Sequence, residues 1–230
     1  MTDINYTLIR SLRRKSIGIR VSSDNSVTVH APLKISESRI REIVTSKSAW
    51  IRKRITKNDA MNARSRLKEY KDGEEFLFLG ESCRLEIVWD STGITLQDRR
   101  LRFGVPSGLN GKERSYIGQH LKEWYIRQAM QIFHDRVGFY RDVLGVKTNL
   151  IRVKTLRSRW GSCSIHGNLS FNWLLVMSPP AVIDYIVVHE LCHCIQRNHS
   201  PAYWKLVESI LPDYKIRKKW LKVNSFTLTL

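Results

Sequence analysis

Residues 187–204 read Val187-Val188-His189-Glu190-Leu191-Cys192-His193-Cys194-Ile195-Gln196-Arg197-Asn198-His199-Ser200-Pro201-Ala202-Tyr203-Trp204. They contain an H-E-x-x-H motif at His189, Glu190 and His193, with a further histidine at His199. The apolar residues before it (Val182, Ile183, Tyr185, Ile186, Val187, Val188) predict a helix entering a core. On a helix, positions i and i+4 lie one above the other on one face, so His189 and His193 can aim two imidazoles at one metal ion. Glu190 sits one position round, near the metal without needing to ligate it. The arrangement suits zinc-activated water with a carboxylate as general base.

A catalytic zinc ion usually takes three protein ligands and keeps one position for water. His199 is the leading third ligand. The spacing predicts a helix end near Arg197-Asn198, since asparagine is a common helix stop. Ser200-Pro201 then opens a new helix as N-cap and first helical residue. The turn between the helices can swing His199 back toward the metal. Glu208, on that next helix, is the rival and would give a His, His, Glu set. The three histidines are spaced as in the metzincin pattern H-E-x-x-H-x-x-G-x-x-H. Gln196 stands where that pattern needs glycine to turn the backbone abruptly, so the chain is not read as a metzincin.

Two blocks together carry a resemblance: Arg159-Trp160-Gly161-Ser162-Cys163-Ser164, and the H-E-x-x-H helix followed by Asn198-His199-Ser200. They resemble the YgjP-like metallopeptidase family and, more distantly, the SprT and WLM-type zincins. With a weaker similarity in the basic amino-terminal half, the resemblance covers most of the chain. It implies a zincin-like fold, one divalent metal ion, His189, His193 and His199 as ligands, and Glu190 as catalytic acid and base. Tyr203-Trp204 stands where Phe-Trp is frequent in the family. The resemblance supplies no physiological substrate.

The 230 residues are enough for a real core in one or two domains. A net charge of +18 points to a polyanion: nucleic acid, nucleotide phosphates, an acidic protein or an anionic membrane surface. Residues 1–70 hold 16 Lys and Arg against 6 Asp and Glu, so much of the charge lies there. The four cysteines (Cys83, Cys163, Cys192, Cys194) form no C-x-x-C pair, which argues against a separate structural zinc site. Cys192, inside the motif, reads as a small packing residue. Nothing in the cysteine pattern argues for disulfides. The amino terminus, MTDINYTLIRSLRRK, has no apolar run of the length of a signal peptide or membrane span, and the cytoplasm is the expected compartment.

Along the chain, residues 16–32 alternate in character around Asp24-Asn25 and predict a hairpin. From Ser36 a basic helix follows, with Ile40, Ile43, Val44, Trp50, Ile51 and Ile55 as its apolar stripe. Residues 76–105 read as β-rich. A long helix is predicted over Lys112 to Leu144, with His120 and His134 as structural or surface residues. Two strands come next, LIRVKTL and NLSFNWLLVM, and the second is the expected cleft-edge strand able to pair with an extended substrate. Arg157 and Arg159 are expected to hold an anionic group of substrate or transition state. Asn172 and Tyr203 complete the expected substrate contacts. A basic helix, DYKIRKKWLKV, closes the chain. The expected class is α+β: a basic β-rich amino-terminal region over 1–111, then a zincin-like metal-binding domain over 112–230, with an active-site helix and a cleft-edge strand. The two can pack as one unit.

Three functions fit this reading. The first is a zinc metallopeptidase acting on a protein or peptide. The second is a nucleoside triphosphate pyrophosphatase on the same site, with Arg157, Arg159 and the amino-terminal cations holding the phosphates; no glycine-rich phosphate loop accompanies it. The third is a nucleic-acid-binding module with a structural zinc, against which Glu190 argues, because a structural site has no use for that carboxylate. Zn²⁺ is the default ion for three histidines, and Mn²⁺, Ni²⁺ or Co²⁺ could take its place.

Overall fold

The computed structural model describes residues 4–22, 24–64, 68–156 and 158–230, and of these every side chain except those of 57 and 60–64. It is an α+β chain that divides into two compact units, 1–66 and 67–230.

In the first unit, β1 (Thr7–Ser11), β2 (Gly18–Val21) and β3 (Val27–Pro32) form a sheet of order β1-β3-β2. The expected hairpin is β2–β3, antiparallel, and β1 adds in parallel to β3. The Asp24 carboxylate accepts from the Ser26 N–H and hydroxyl, which sets the turn. Val27, Val29 and Ala31 alternate inward along β3 and meet Ile40, Val44 and Ile51. Those last three lie on two helices, α1 (Glu37–Ser46) and α2 (Ser48–Arg64), where the sequence predicts one. The break falls at Lys47, one residue after Ser46, whose hydroxyl bonds back to the Ile43 carbonyl (2.8 Å) and competes with the helical ladder. Trp50, counted in the apolar stripe, is 49% exposed.

The second unit opens with β4 (Glu75–Phe78), β5 (Glu81–Trp89), β6 (Ile94–Gln97) and β7 (Arg100–Val105), in the order β4-β5-β7-β6. The long helix α3 (Glu113–Leu144) follows. A second sheet of order β8-β10-β9 comprises β8 (Ile151–Lys154), β9 (Gly161–Cys163) and β10 (Leu169–Asn172). After a 3-10 turn over Trp173–Met177 come α4 (Pro180–Cys192), α5 (Pro201–Ile210) and α6 (Tyr214–Asn224). The four-stranded sheet shares one core with α3 and α4, through Phe76, Leu85, Phe103, Leu121, Phe133 and Val187. The units therefore divide at 66/67, and not at 111 as expected: the β-rich segment 76–105 buries its inward face against the elements that follow it.

α4 is apolar on nearly every side, which is how a helix reads when it is buried all round. Three contacts fix it and its surroundings. Arg136 on α3 grips the buried Asp184 with two prongs (2.5 and 2.7 Å). Phe133 stacks on Phe171 of β10 with centroids 4.4 Å apart. The β4–β5 turn docks at its start, where the Leu79 and Gly80 N–H groups donate to Val176 and Met177. Gly80 has φ +84, and a Cβ there would lie 2.9 Å from the Pro179 ring, so glycine is required on both counts.

The sheet around β10 corrects the expected cleft strand. β10 is central, bonded in parallel to β8 and antiparallel to β9, and its continuation is a 3-10 turn. With both edges taken, it cannot accept another strand. The edge strands of this sheet are β8 and β9, and β9, three residues long, is the one beside Glu190. Among the described residues no helix is long and apolar enough to cross a membrane.

Candidate metal centre

α4 ends at Cys192, earlier than expected, with His193 as its C-cap in helical geometry (φ −68, ψ −15). The i, i+4 relation of His189 and His193 therefore survives. The chain then turns, with Gln196 N–H bonding Cys192 O, and Ser200 caps α5 by accepting from Tyr203 N–H. This junction returns His199 to the other two histidines. One nitrogen from each of His189, His193 and His199 lies within 4.8 Å of the others. Glu208 is exposed and pairs with Lys215 (3.0 Å), away from this cluster.

The donor set fits a divalent metal ion. Burial, with His193 and His199 adding to it, holds His189 down to about 3, and burial also lowers His199, so both are neutral imidazoles at physiological pH. His189 Nε2 and His199 Nε2 face each other at 3.2 Å. His193 Nδ1 lies 3.1 Å from the Gln196 carbonyl; donating there makes Nδ1 the protonated nitrogen and leaves the Nε2 lone pair for a ligand. His189 Nδ1 is buried without a hydrogen-bond partner.

Aromatic rings brace the cluster. Tyr203 is fully buried, its ring stacks on His193 at 4.7 Å, and its hydroxyl donates to the His189 carbonyl (2.8 Å). Trp204 stacks on exposed His199 (5.5 Å) and on Tyr214 (5.4 Å), with Lys218 Nζ 4.1 Å above its ring. Tyr203, expected to touch substrate, packs behind the histidines. Asn172 is 4% exposed and also turned inward: its amide donates to Leu156 O (3.0 Å), and its oxygen accepts from Leu174 N–H (3.2 Å).

Glu190 is 5% exposed, and burial pushes its carboxyl up to about 7 against the opposing pull of Arg159 and of the Cys163 backbone N–H. The structure thus brings Arg159, an exposed residue, close enough to Glu190 to be felt electrostatically. Arg157 lies outside the described residues. Gly161 is the neighbour the sequence reading missed. A Cβ there would stand 2.6 Å from Glu190 Oε1 and 2.7 Å from Cγ, so the carboxylate rests on the bare backbone of β9. The signal was present in the Arg159–Ser164 block, but only as a marker of resemblance.

Three convergent imidazoles with a buried carboxylate beside them have the make-up of a metal-dependent hydrolase centre. The chain belongs to the YgjP-like family, whose metallopeptidase domain model matches residues 15–224. No curated protein matches it. Among solved structures it is similar to the metallopeptidase zymogen of Pyrococcus abyssi abylysin, at 21% identity and TM-score 0.37 over 40% of this chain and 92% of that one. It is similar also to the metallopeptidase zymogen of Methanocaldococcus jannaschii jannalysin, at 21% identity and TM-score 0.35 over the same shares.

Proposed function

We propose that this chain is a zinc metallopeptidase of zincin-like architecture, in which His189, His193 and His199 hold the ion and Glu190 is the general base and acid. The observation that carries this reading is the convergence of the three histidines beside a carboxylate whose proton affinity is set near neutrality. Bound there, zinc would supply Lewis acidity that acidifies water and polarises the scissile carbonyl. Glu190 takes the proton of the attacking water on its carboxylate and passes it to the departing amine nitrogen. Gly161 and the Cys163 N–H keep that carboxylate in place. β9 is an edge strand beside it, and its backbone groups not taken by β10 or Glu190 are the ones with which an extended peptide would pair.

The test is hydrolysis of a denatured-protein mixture by zinc-loaded protein and by Glu190→Gln. Removing a general acid and base costs roughly 10²–10⁴-fold, so the variant keeps its metal and loses nearly all turnover. Full activity in the variant sinks the role of Glu190.

One observation favours a second substrate class. Arg159 places a cation beside Glu190 and could hold a phosphate as readily as a peptide carbonyl. Release of pyrophosphate from nucleoside triphosphates that depends on Glu190, without proteolysis, would replace the peptidase reading with it.

A further inference from the structure

The two cysteines nearest the centre are 31 positions apart in sequence and adjacent in space. Cys163 Sγ, at the end of β9, lies 3.7 Å from Cys194 Sγ, one residue past His193. Both are partly exposed, whereas Cys83 and Cys192 are buried. Arg197 holds the pair in register: its two terminal nitrogens donate to the carbonyls of Ser164 and Ile165, each at 2.9 Å, so the turn after β9 is clamped to the turn after α4.

We propose that Cys163 and Cys194 form a reversible disulfide that displaces Glu190 and switches the centre off. The loss of hydrolysis rests on the peptidase reading above; the disulfide itself does not. A disulfide bond is about 2.05 Å long, so the sulfurs must close by more than an ångström and a half. In the proposed switch, side-chain rotation supplies part of that movement and a shift of β9 toward α4 supplies the rest. β9 has no slack toward α4, because Gly161 already bears on Glu190 without room for a methyl group. A shift of β9 that follows Cys163 would carry Gly161 onto Glu190 and push its carboxylate from its place. In the reaction, one cysteine thiolate attacks a disulfide oxidant of the glutathione type and releases one glutathione. The second thiolate displaces the other glutathione, forming the protein disulfide. Both protein thiols give up their protons, and the oxidant is reduced to two thiols. Burial, then the adjoining Cys194, push the Cys163 thiol up to about 12.

The test uses the full chain, metal-free and zinc-loaded, treated with oxidised glutathione, alkylated and digested for mass analysis. The expected product is a peptide pair linked through Cys163 and Cys194, with Cys83 and Cys192 alkylated, restored by a dithiol and absent in Cys194→Ser and in Cys163→Ser. Four alkylated cysteines, a glutathione adduct that persists on either residue, or a link through Cys192 overturns the pairing. Peptide hydrolysis should fall about 100-fold on oxidation, the cost of an ångström-scale misplacement, and recover with the dithiol. A crystal structure of the oxidised protein reads the displacement without any substrate: Glu190 moved off Gly161 supports the switch, and Glu190 unmoved overturns it. If the reduced protein cleaves no peptide, the peptidase reading fails, and the mapped link and the position of Glu190 still decide this one.

Discussion

The two sides of the metal centre are built on different principles. His189 and Glu190 project from a helix whose neighbouring residues, Val188 and Leu191, are fully buried, and Tyr203 closes over them from α5. His199 sits on an exposed junction and is braced by ring stacking on Trp204. The first side is set by the core and cannot shift without repacking. The second is set by a turn and a surface stack, which can adjust. In the proposed centre a rigid wall would carry the chemistry and an adaptable arm would complete the ligand set.

The largest expected effects break that contrast directly. His189→Ala should lose stoichiometric metal, because it removes a ligand from the buried wall and leaves a cavity there. His199→Ala should weaken binding by more than the ~10–100-fold that loss of an outer partner of a ligand costs. Added imidazole should restore metal to His199→Ala, whose vacated place opens to solvent, and not to His189→Ala. Metal content after dialysis, with and without imidazole, decides it. Equal rescue of both variants would show that the two sides do not differ as described.

The next effect concerns the wall alone. In the metal-free protein the Glu190 pKa is raised from 4.5 to about 7. A raised folded-state pKa means that its contribution to stability is fully present below the unfolded value and is lost as pH rises through about 7. That window corresponds to about 3 kcal/mol. Glu190→Gln does not titrate, so from pH 4 to pH 8 metal-free Gln variant should gain about this much over metal-free wild type. Urea denaturation of both proteins across that range is the measurement, and parallel profiles would remove burial as the cause of the raised pKa.

Gly161→Ala sharpens the comparison further, since it touches the carboxylate and none of the histidines. The added Cβ would fall 2.6–2.9 Å from Glu190 atoms that include Cγ, so the side chain has to move and not merely rotate its tip. We expect kcat to drop about 100-fold with little change in KM, and metal content to stay at the wild-type level. Metal loss alongside the drop would mean that β9 supports the ligands as well as the base.

These residues also show what the sequence could and could not disclose. The H-E-x-x-H helix was legible because helical periodicity is local: the spacing alone puts His189 and His193 on one face, and the solid apolar run announces burial. The β2–β3 hairpin and the Ser200 cap were legible for the same reason. Gly161 was not, because the need for glycine arises from Glu190, 29 residues further on. β9 is too short at three residues to show an alternating pattern, and so the longer apolar run of β10 drew the expectation of a cleft edge. The unit boundary was hidden because it is decided by which core the four-stranded sheet enters, and the strands' own alternation does not record that.

The smallest effect tests how the wall is finished at its end. The His189 carbonyl lies in the last turn of α4, where carbonyls run out of intrahelical donors. His193 N–H turns instead to Glu190 O and Leu191 O. The Tyr203 hydroxyl supplies a donor to the His189 carbonyl from α5, at 2.8 Å. Tyr203→Phe keeps the ring against His193 and deletes that one bond, so it isolates the cap from the stacking. A lost buried hydrogen bond of this kind costs about 1–2 kcal/mol of stability. Thermal or urea unfolding of the variant should show that loss, while metal content and kcat stay within a few-fold of wild type. Loss of metal from Tyr203→Phe would mean that the hydroxyl positions His189 itself, and the buried side of the centre would then depend on α5 as closely as His199 does.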